Sequence, residues 1–233
     1  MNVLFVVTSA DTLAPGCPTG VWLEEYAVPY CALTEVGIAV TVASPKGGPA
    51  PVDARSAPDE KSALAWRDAI EALASTAKLA EVSETGFDAL YIPGGHGPMV
   101  DLAGDGKMRA LVEAFDRAGK IIAAICHGPT ALLVASGADG QSFLKGRKAT
   151  AFTNGEEIMA GLDKTVPFLL ETRMRAAGAL FQHTLLPGAC HVVTDKNLIT
   201  GQNPASSLAM AKTLSEALAA RQRAALEASA TAL

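Results

Sequence analysis

The chain has 233 residues, 49% of them apolar and 18% charged, with a formal net charge of −5. That length and composition fit one sizeable α/β domain spanning 1–233, and the acidic balance with no Lys/Arg cluster argues against general nucleic-acid affinity. No apolar run approaches the roughly 20 residues of a membrane span, and Met1–Thr8 lacks the basic and cleavage-site features of a secretory leader. A cytoplasmic protein with no membrane partner is expected.

In chain order, Val3–Val7 is a continuous apolar run and reads as a strand covered on both faces. Thr19 is an N-cap candidate for a helix over 20–35, with Gly37 as its stop. A second strand follows at Ile38–Ala43, then a helix by periodicity over Asp59–Ala74 and a buried strand at Phe87–Ile92. Lys107–Arg117 is expected as a helix closed by Gly119, Ile121–Ile125 as a strand, and the segment from Pro129 as a helix. Ala149–Phe152 reads as a strand, Pro167–Ala176 as a helix and His191–Thr200 as a hairpin or paired short strands. A long alanine-rich helix over Asn203–Ala220 follows, with a tail ending at Leu233. Strands alternating with helices imply a mostly parallel sheet covered on both faces, with sites beyond the strand C-termini.

Cys17, Cys31, Cys126 and Cys190 show no C-x-x-C spacing, so neither a zinc site nor a disulfide framework is suggested. Cys126 stands apart. It ends the run Ile121–Ile125, with small Ala124 two residues before it and Gly128 two after, the spacing of a nucleophile elbow with cysteine in place of serine. A sharp strand-to-helix turn projects the sulfur from the backbone, and helix N–H groups would favour a thiolate. A buried structural cysteine fits the same local pattern. Three further segments fall at expected strand ends or beside them. Pro93-Gly-Gly-His-Gly97 could bring backbone N–H groups close to a reacting atom, although an isolated Gly-Gly is as well explained by a tight turn. In Glu24-Glu25, one acid is expected in solvent and the other against apolar surface with a raised pKa. Glu156-Glu157 follows the strand end near Phe152 and Gly155, where a helix-start carboxylate is the plain alternative.

These segments together resemble the ThiJ/PfpI superfamily, the class I glutamine amidotransferase-like proteins. The resemblance runs over nearly the whole chain. It is carried by Tyr91-Ile-Pro-Gly-Gly-His-Gly97 and Ala124-Ile-Cys-His-Gly-Pro129, with Ser44-Pro-Lys-Gly-Gly48, Asp53, Val166–Glu171 and Leu198–Ser207 also matching. The Cys-His pair and the long inserts are similar to the heat-shock chaperone and glyoxalase III branch. A His-x-Glu dyad near the C-terminus, which a true glutamine amidotransferase requires, is missing: His183 precedes Thr-Leu and His191 precedes Val-Val.

The resemblance implies a flavodoxin-like three-layer sandwich, a homodimer, and chemistry without a cofactor or metal. It implies Cys126 as nucleophile, His127 as base and acid, and Glu25 as the first-helix glutamate. Glu156, preferred over Glu157, would orient His127, and the N–H groups of Gly95 and His127 would form an oxyanion hole. The implied substrate is a small 2-oxoaldehyde such as methylglyoxal, converted without glutathione to a 2-hydroxy acid. The rival readings are a cysteine amidohydrolase or peptidase, a holdase chaperone, and a redox sensor built on an accessible low-pKa thiolate.

Overall fold

A computed structural model describes residues 1–231. One seven-stranded sheet runs in the order Val192–Asp195, Leu198–Gly201, Ile121–Ile125, Ala89–Ile92, Asn2–Val6, Ala39–Ser44, Ala77–Lys78. Every neighbouring pair is parallel except the hairpin of Val192–Asp195 with Leu198–Gly201. The sheet is therefore mostly parallel with helices around it, the architecture expected from the alternating pattern.

Alternation along each strand explains how one sheet supports two cores. Leu4, Leu90, Ile92, Ile122 and Ala124 join one buried cluster, while Val3, Phe5, Tyr91, Ala123 and Ile125 join another on the opposite face. The helix Gly106–Arg117 covers the first face with Met108, Leu111, Val112 and Phe115, the i, i+3, i+4, i+7 stripe that a helix buries. Its N-terminus is capped by Asp105, whose carboxylate accepts from Met108 N at 2.7 Å. Leu23–Glu35 and Ser207–Thr231 pack on the second face, where Phe5 meets Tyr26 edge-on at 5.9 Å between ring centroids. No helix among the described residues is long and apolar enough to cross a membrane.

Several boundaries differ from the sequence expectations. The first helix begins at Leu23, with no side-chain cap. Val21 is instead engaged on both sides, donating to Pro51 O at 2.8 Å and accepting from Asp53 N at 2.9 Å, while Thr19 bonds the Asp53 carboxylate at 3.3 Å. The helix expected over Asp59–Ala74 is two, Glu60–Ala65 and Arg67–Ala72, broken where Trp66 leaves helical geometry at φ −101, ψ 14. Of the strand expected at Ala149–Phe152 only Ala149 is paired, in the short strand Lys148–Ala149 beside Leu180–Phe181. The helix expected from Pro167 starts at Leu170. Beyond Cys126 there is only a five-residue 3-10 turn, Gly128–Leu132. Five residues cannot build a helix macrodipole, so the expected helical support for a thiolate is removed. The final helix starts later and runs further than expected, Ser207–Thr231, and the end of the tail at Leu233 lies outside the described residues.

Candidate active site

Cys126 sits where the strand Ile121–Ile125 ends, its N–H donating to Gly201 O at 2.9 Å and its carbonyl accepting from Phe152 N at 3.0 Å. Its φ is +59, a left-handed conformation that costs a non-glycine residue about 1–2 kcal/mol. Bonds on both sides hold that geometry, and Gly128 makes the elbow possible because a Cβ there would collide with Ile92 O. Gly94 serves the same packing: a side chain on it would lie 2.7 Å from Glu25 Oε2 and 2.8 Å from Cys126 Cβ. Gly95, at φ +82, brings its backbone N–H near the Cys126 sulfur, where it works against the rise of the thiol.

The sulfur lies 3.3 Å from His127 Nδ1, and His127 Nε2 lies 2.7 Å from Glu157 Oε2. All three side chains are buried. Burial alone would raise the Glu157 carboxyl, but hydrogen bonds from His127 and His96 hold it at about 2, so it is ionised at neutral pH. A carboxylate can only accept, so His127 carries its proton on Nε2 and turns a bare Nδ1 to the sulfur. Burial, with His96 alongside, depresses His127 to about 4 against the pull of Glu157. At neutral pH it is an uncharged base.

Glu25 approaches the sulfur from the first helix. It is fully buried, its Oε2 accepts from Gly94 N at 2.9 Å, and its carboxyl is raised to about 8, chiefly by burial. It is therefore a neutral acid at pH 7. Its Oε1 has no hydrogen-bond partner, which leaves the O–H of the neutral acid free beside Cys126. Glu24 points elsewhere, into an outer groove with Trp22, Asp59 and Trp66.

Two expectations are corrected by these contacts. Glu156, preferred as the residue orienting His127, is turned away from it. Its Oε2 accepts from Thr153 N and Thr153 Oγ1, closing a capping box, while Oε1 accepts from Gly188 N, Gln202 Nε2 and Asn203 Nδ2. Successive helical residues point about 100° apart, so only one of Glu156 and Glu157 can face His127. The capping box fixes Glu156 at the N3 position of the helix Asn154–Met159, and Glu157 takes the inward direction. The accessible low-pKa thiolate of the redox-sensor reading is also contradicted: Cys126 is 3% exposed, and burial, with Glu25 next to it, pushes its thiol up.

Sequence reasoning missed two members of this cluster, His96 and Arg55. His96 Nε2 lies 2.8 Å from Glu157 Oε1, and His96 Nδ1 lies 3.2 Å from Arg55 Nη2. Arg55 in turn is gripped by Asp53 at 2.9 and 2.6 Å. His96 was legible in principle as a titratable side chain inside a glycine-rich loop at a strand end. Arg55 left no local signal; it arrives through the pairing of Val21 with Val52. His96, His127 and Glu157 bring donor atoms within 4.8 Å, close enough to ligate a metal. Their 2.7 and 2.8 Å contacts are instead N–H···O bonds, which occupy the lone-pair directions a cation would need.

The sulfur opens on a cavity of about 230 Å³ lined by Trp22, Arg55, Gly95, His96, Phe152 and Pro204, together with Cys126 and His127. A model of the DJ-1/PfpI family matches residues 17–217 of the chain. The chain belongs to the DJ-1/PfpI family. Glutathione-independent glyoxalase hsp3101 of Schizosaccharomyces pombe is 29% identical over 84% of this chain and 86% of its own. Glutamine amidotransferase-like class 1 domain-containing protein 1 of Bos taurus is 34% identical over 60% of this chain, and the match spans 63% of that protein, less than two thirds of its length. The crystal structure of Rapid Encystment Protein 24 KDa from Francisella tularensis superposes with a TM-score of 0.87 at 32% identity, covering 93% of this chain and 98% of that one.

Proposed function

We propose that this DJ-1/PfpI protein is a glutathione-independent glyoxalase that converts small 2-oxoaldehydes, methylglyoxal among them, to 2-hydroxy acids. The observation that carries the reading is the buried line from Cys126 Sγ to His127 Nδ1 (3.3 Å) and from His127 Nε2 to Glu157 (2.7 Å), beside a neutral Glu25. The name of the fission-yeast relative supports it. The cavity of about 230 Å³ admits a molecule of a few heavy atoms and gives little room for a peptide.

The chemistry balances without any added reagent except water. His127 Nδ1 takes the thiol proton as the sulfur adds to the aldehyde carbon, and the proton passes to the aldehyde oxygen, giving a hemithioacetal. The same nitrogen then removes the C1 proton. The resulting enediol is reprotonated at C2, leaving a thioester of the 2-hydroxy acid. Water hydrolyses the thioester, releasing the acid and restoring the Cys126 thiol. Gly95 N–H and the Glu25 O–H would stabilise the negative charge that develops on sulfur and oxygen, and the His127 N–H would complete the oxyanion hole. Glu157 orients His127 and stabilises its transient cation. The proposal extends to a homodimer acting in the cytoplasm.

The test is methylglyoxal consumption by purified protein in thiol-free buffer, compared with Cys126→Ala. Turnover that vanishes with the sulfur supports the reading. No turnover by the wild type removes it.

A further inference from the structure

Glu157 has two carboxylate oxygens, and the reaction above uses one. Oε2 holds His127; Oε1 accepts from His96 Nε2 at 2.8 Å, in a cluster where His96 and Glu157 are 4% and 2% exposed. The remaining His96 nitrogen, Nδ1, faces Arg55 Nη2 at 3.2 Å. A guanidinium nitrogen only donates, so Nδ1 must present its lone pair, and the single ring proton must sit on Nε2. The opposite tautomer would set two N–H groups against each other at the Arg55 contact and a lone pair against the carboxylate at the Glu157 contact. A doubly protonated His96 fails at the Arg55 contact as well. Arg55 cannot swing away freely, because Asp53 grips its Nε and Nη2 at 2.9 and 2.6 Å.

The Asp53–Ser56 turn does two tasks. Besides presenting Arg55, it accepts Leu23 N on Ser56 Oγ at 2.9 Å, pinning the start of the helix that carries Glu25. Both arms of the site therefore hang from one short turn.

We propose that Arg55 and His96 are positioning residues: Arg55 fixes His96 as the neutral Nε2–H tautomer, and His96 occupies one oxygen of Glu157 so that the other is committed to His127 Nε2–H, leaving His127 Nδ1 bare for the Cys126 proton. Without His96 the carboxylate is tied at one oxygen only and can rotate. Without Arg55, His96 is free to move its proton to Nδ1, which leaves a bare Nε2 facing Glu157 Oε1 and takes away the donor that holds that oxygen. Asp53, Arg55 and Glu157 together leave this cluster with one net negative charge, which fits positioning of a base better than capture of an anionic ligand.

This inference rests on the Cys126–His127–Glu157 chemistry proposed above, and its test separates the two. Alkylation of Cys126 by chloroacetone reads base function without any glyoxalase step, and ¹⁵N spectra of labelled imidazoles read the tautomers directly. In the wild type both His96 and His127 should appear as neutral Nε2–H rings. Arg55→Met, at a side chain 42% exposed though its partner Asp53 is buried, should leave His96 Nδ1 without a donor and let the Nδ1–H tautomer appear. It should slow alkylation and kcat at least about tenfold, with KM little changed. His96→Leu should do the same, and His96→Gln, which can both accept from Arg55 and donate to Glu157, should recover to within about threefold of wild type. If Arg55→Met and His96→Leu alkylate at the wild-type rate with the His127 spectrum unchanged, the relay is wrong. Should His96→Leu fail to fold, Arg55→Met decides alone. If alkylation responds as described but methylglyoxal is not consumed, the positioning stands and the glyoxalase reading falls.

Discussion

Glu157 Oε2 lies 2.7 Å from His127 Nε2, and its neighbour Glu156 spends both oxygens on Thr153, Gly188, Gln202 and Asn203. Two adjacent acids thus have separate tasks. Glu157→Gln should keep the fold and lower turnover by at least about 10²-fold, because the amide cannot stabilise the imidazolium and invites the wrong tautomer. Glu156→Gln should leave turnover within a few-fold and lower Tm instead, since its carboxylate accepts five hydrogen bonds that tie the 184–189 loop to the helix start. Steady-state rates and melting curves of the two variants check the division.

A second expectation concerns pH. His127 must be neutral to act, so activity should fall as pH drops through about 4. Glu25 must be protonated to donate to the sulfur, so activity should also fall as pH rises through about 8, where a new carboxylate would repel the thiolate. The groups facing the sulfur and its base are Glu25, Glu157, His96 and Arg55, so removing Glu25 should shift the alkaline limb alone. A kcat/KM profile of wild type and Glu25→Gln, taken over the range in which both remain folded, tests this.

Glu25 also carries a stability cost with a defined sign. Its carboxyl is raised in the folded chain, to about 8 from an ordinary 4.5, so the folded state is favoured below pH 4.5 and loses that advantage as pH climbs through 8. Glu25→Gln keeps the shape and the acceptor for Gly94 N–H without the charge. It should be on the order of 2–4 kcal/mol more stable than wild type at pH 8.5 and nearly equal at pH 4.5, while turning over much more slowly. A larger Tm gain at the acid end would contradict the burial argument.

The elbow itself stores strain that can be released. Cys126→Gly should melt higher than Cys126→Ala, because glycine adopts φ +59 without the penalty of about 1–2 kcal/mol that alanine retains. Both should be inactive. Equal melting temperatures would mean the left-handed turn is not strained.

Much of this site was legible because its signals are local. Ala124 and Gly128 around Cys126 mark a turn that needs small flanks, and the apolar run before it gave the strand Ile121–Ile125 at its true bounds. Glu25 rather than Glu24 came from the resemblance, whose first-helix glutamate falls between Gly20 and Pro29 at that position. The choice between Glu156 and Glu157 was not legible. It depends on a capping box with Thr153 and on Gln202 and Asn203, which are near Glu156 only after the chain folds. The helix beyond Cys126 was over-read because Leu132-Leu133-Val134 is apolar for burial rather than for helical length; the turn ends where Ser136 N is captured by Glu113 at 3.0 Å and Phe143 N pairs with Ala135 O. Arg55 was invisible for the opposite reason, since a lone arginine in a loop carries no pattern and only the Val21–Val52 pairing brings it to the cavity.

The most direct measurement is product-resolved: proton NMR of methylglyoxal incubated with protein in thiol-free buffer, comparing wild type, Cys126→Ala, Glu157→Gln and Glu156→Gln. The account predicts that lactate appears in step with methylglyoxal loss for wild type and Glu156→Gln, at a rate at least about 10²-fold lower for Glu157→Gln, and not at all for Cys126→Ala. Lactate from Cys126→Ala at the wild-type rate, or methylglyoxal loss from the wild type with no lactate formed, would contradict it.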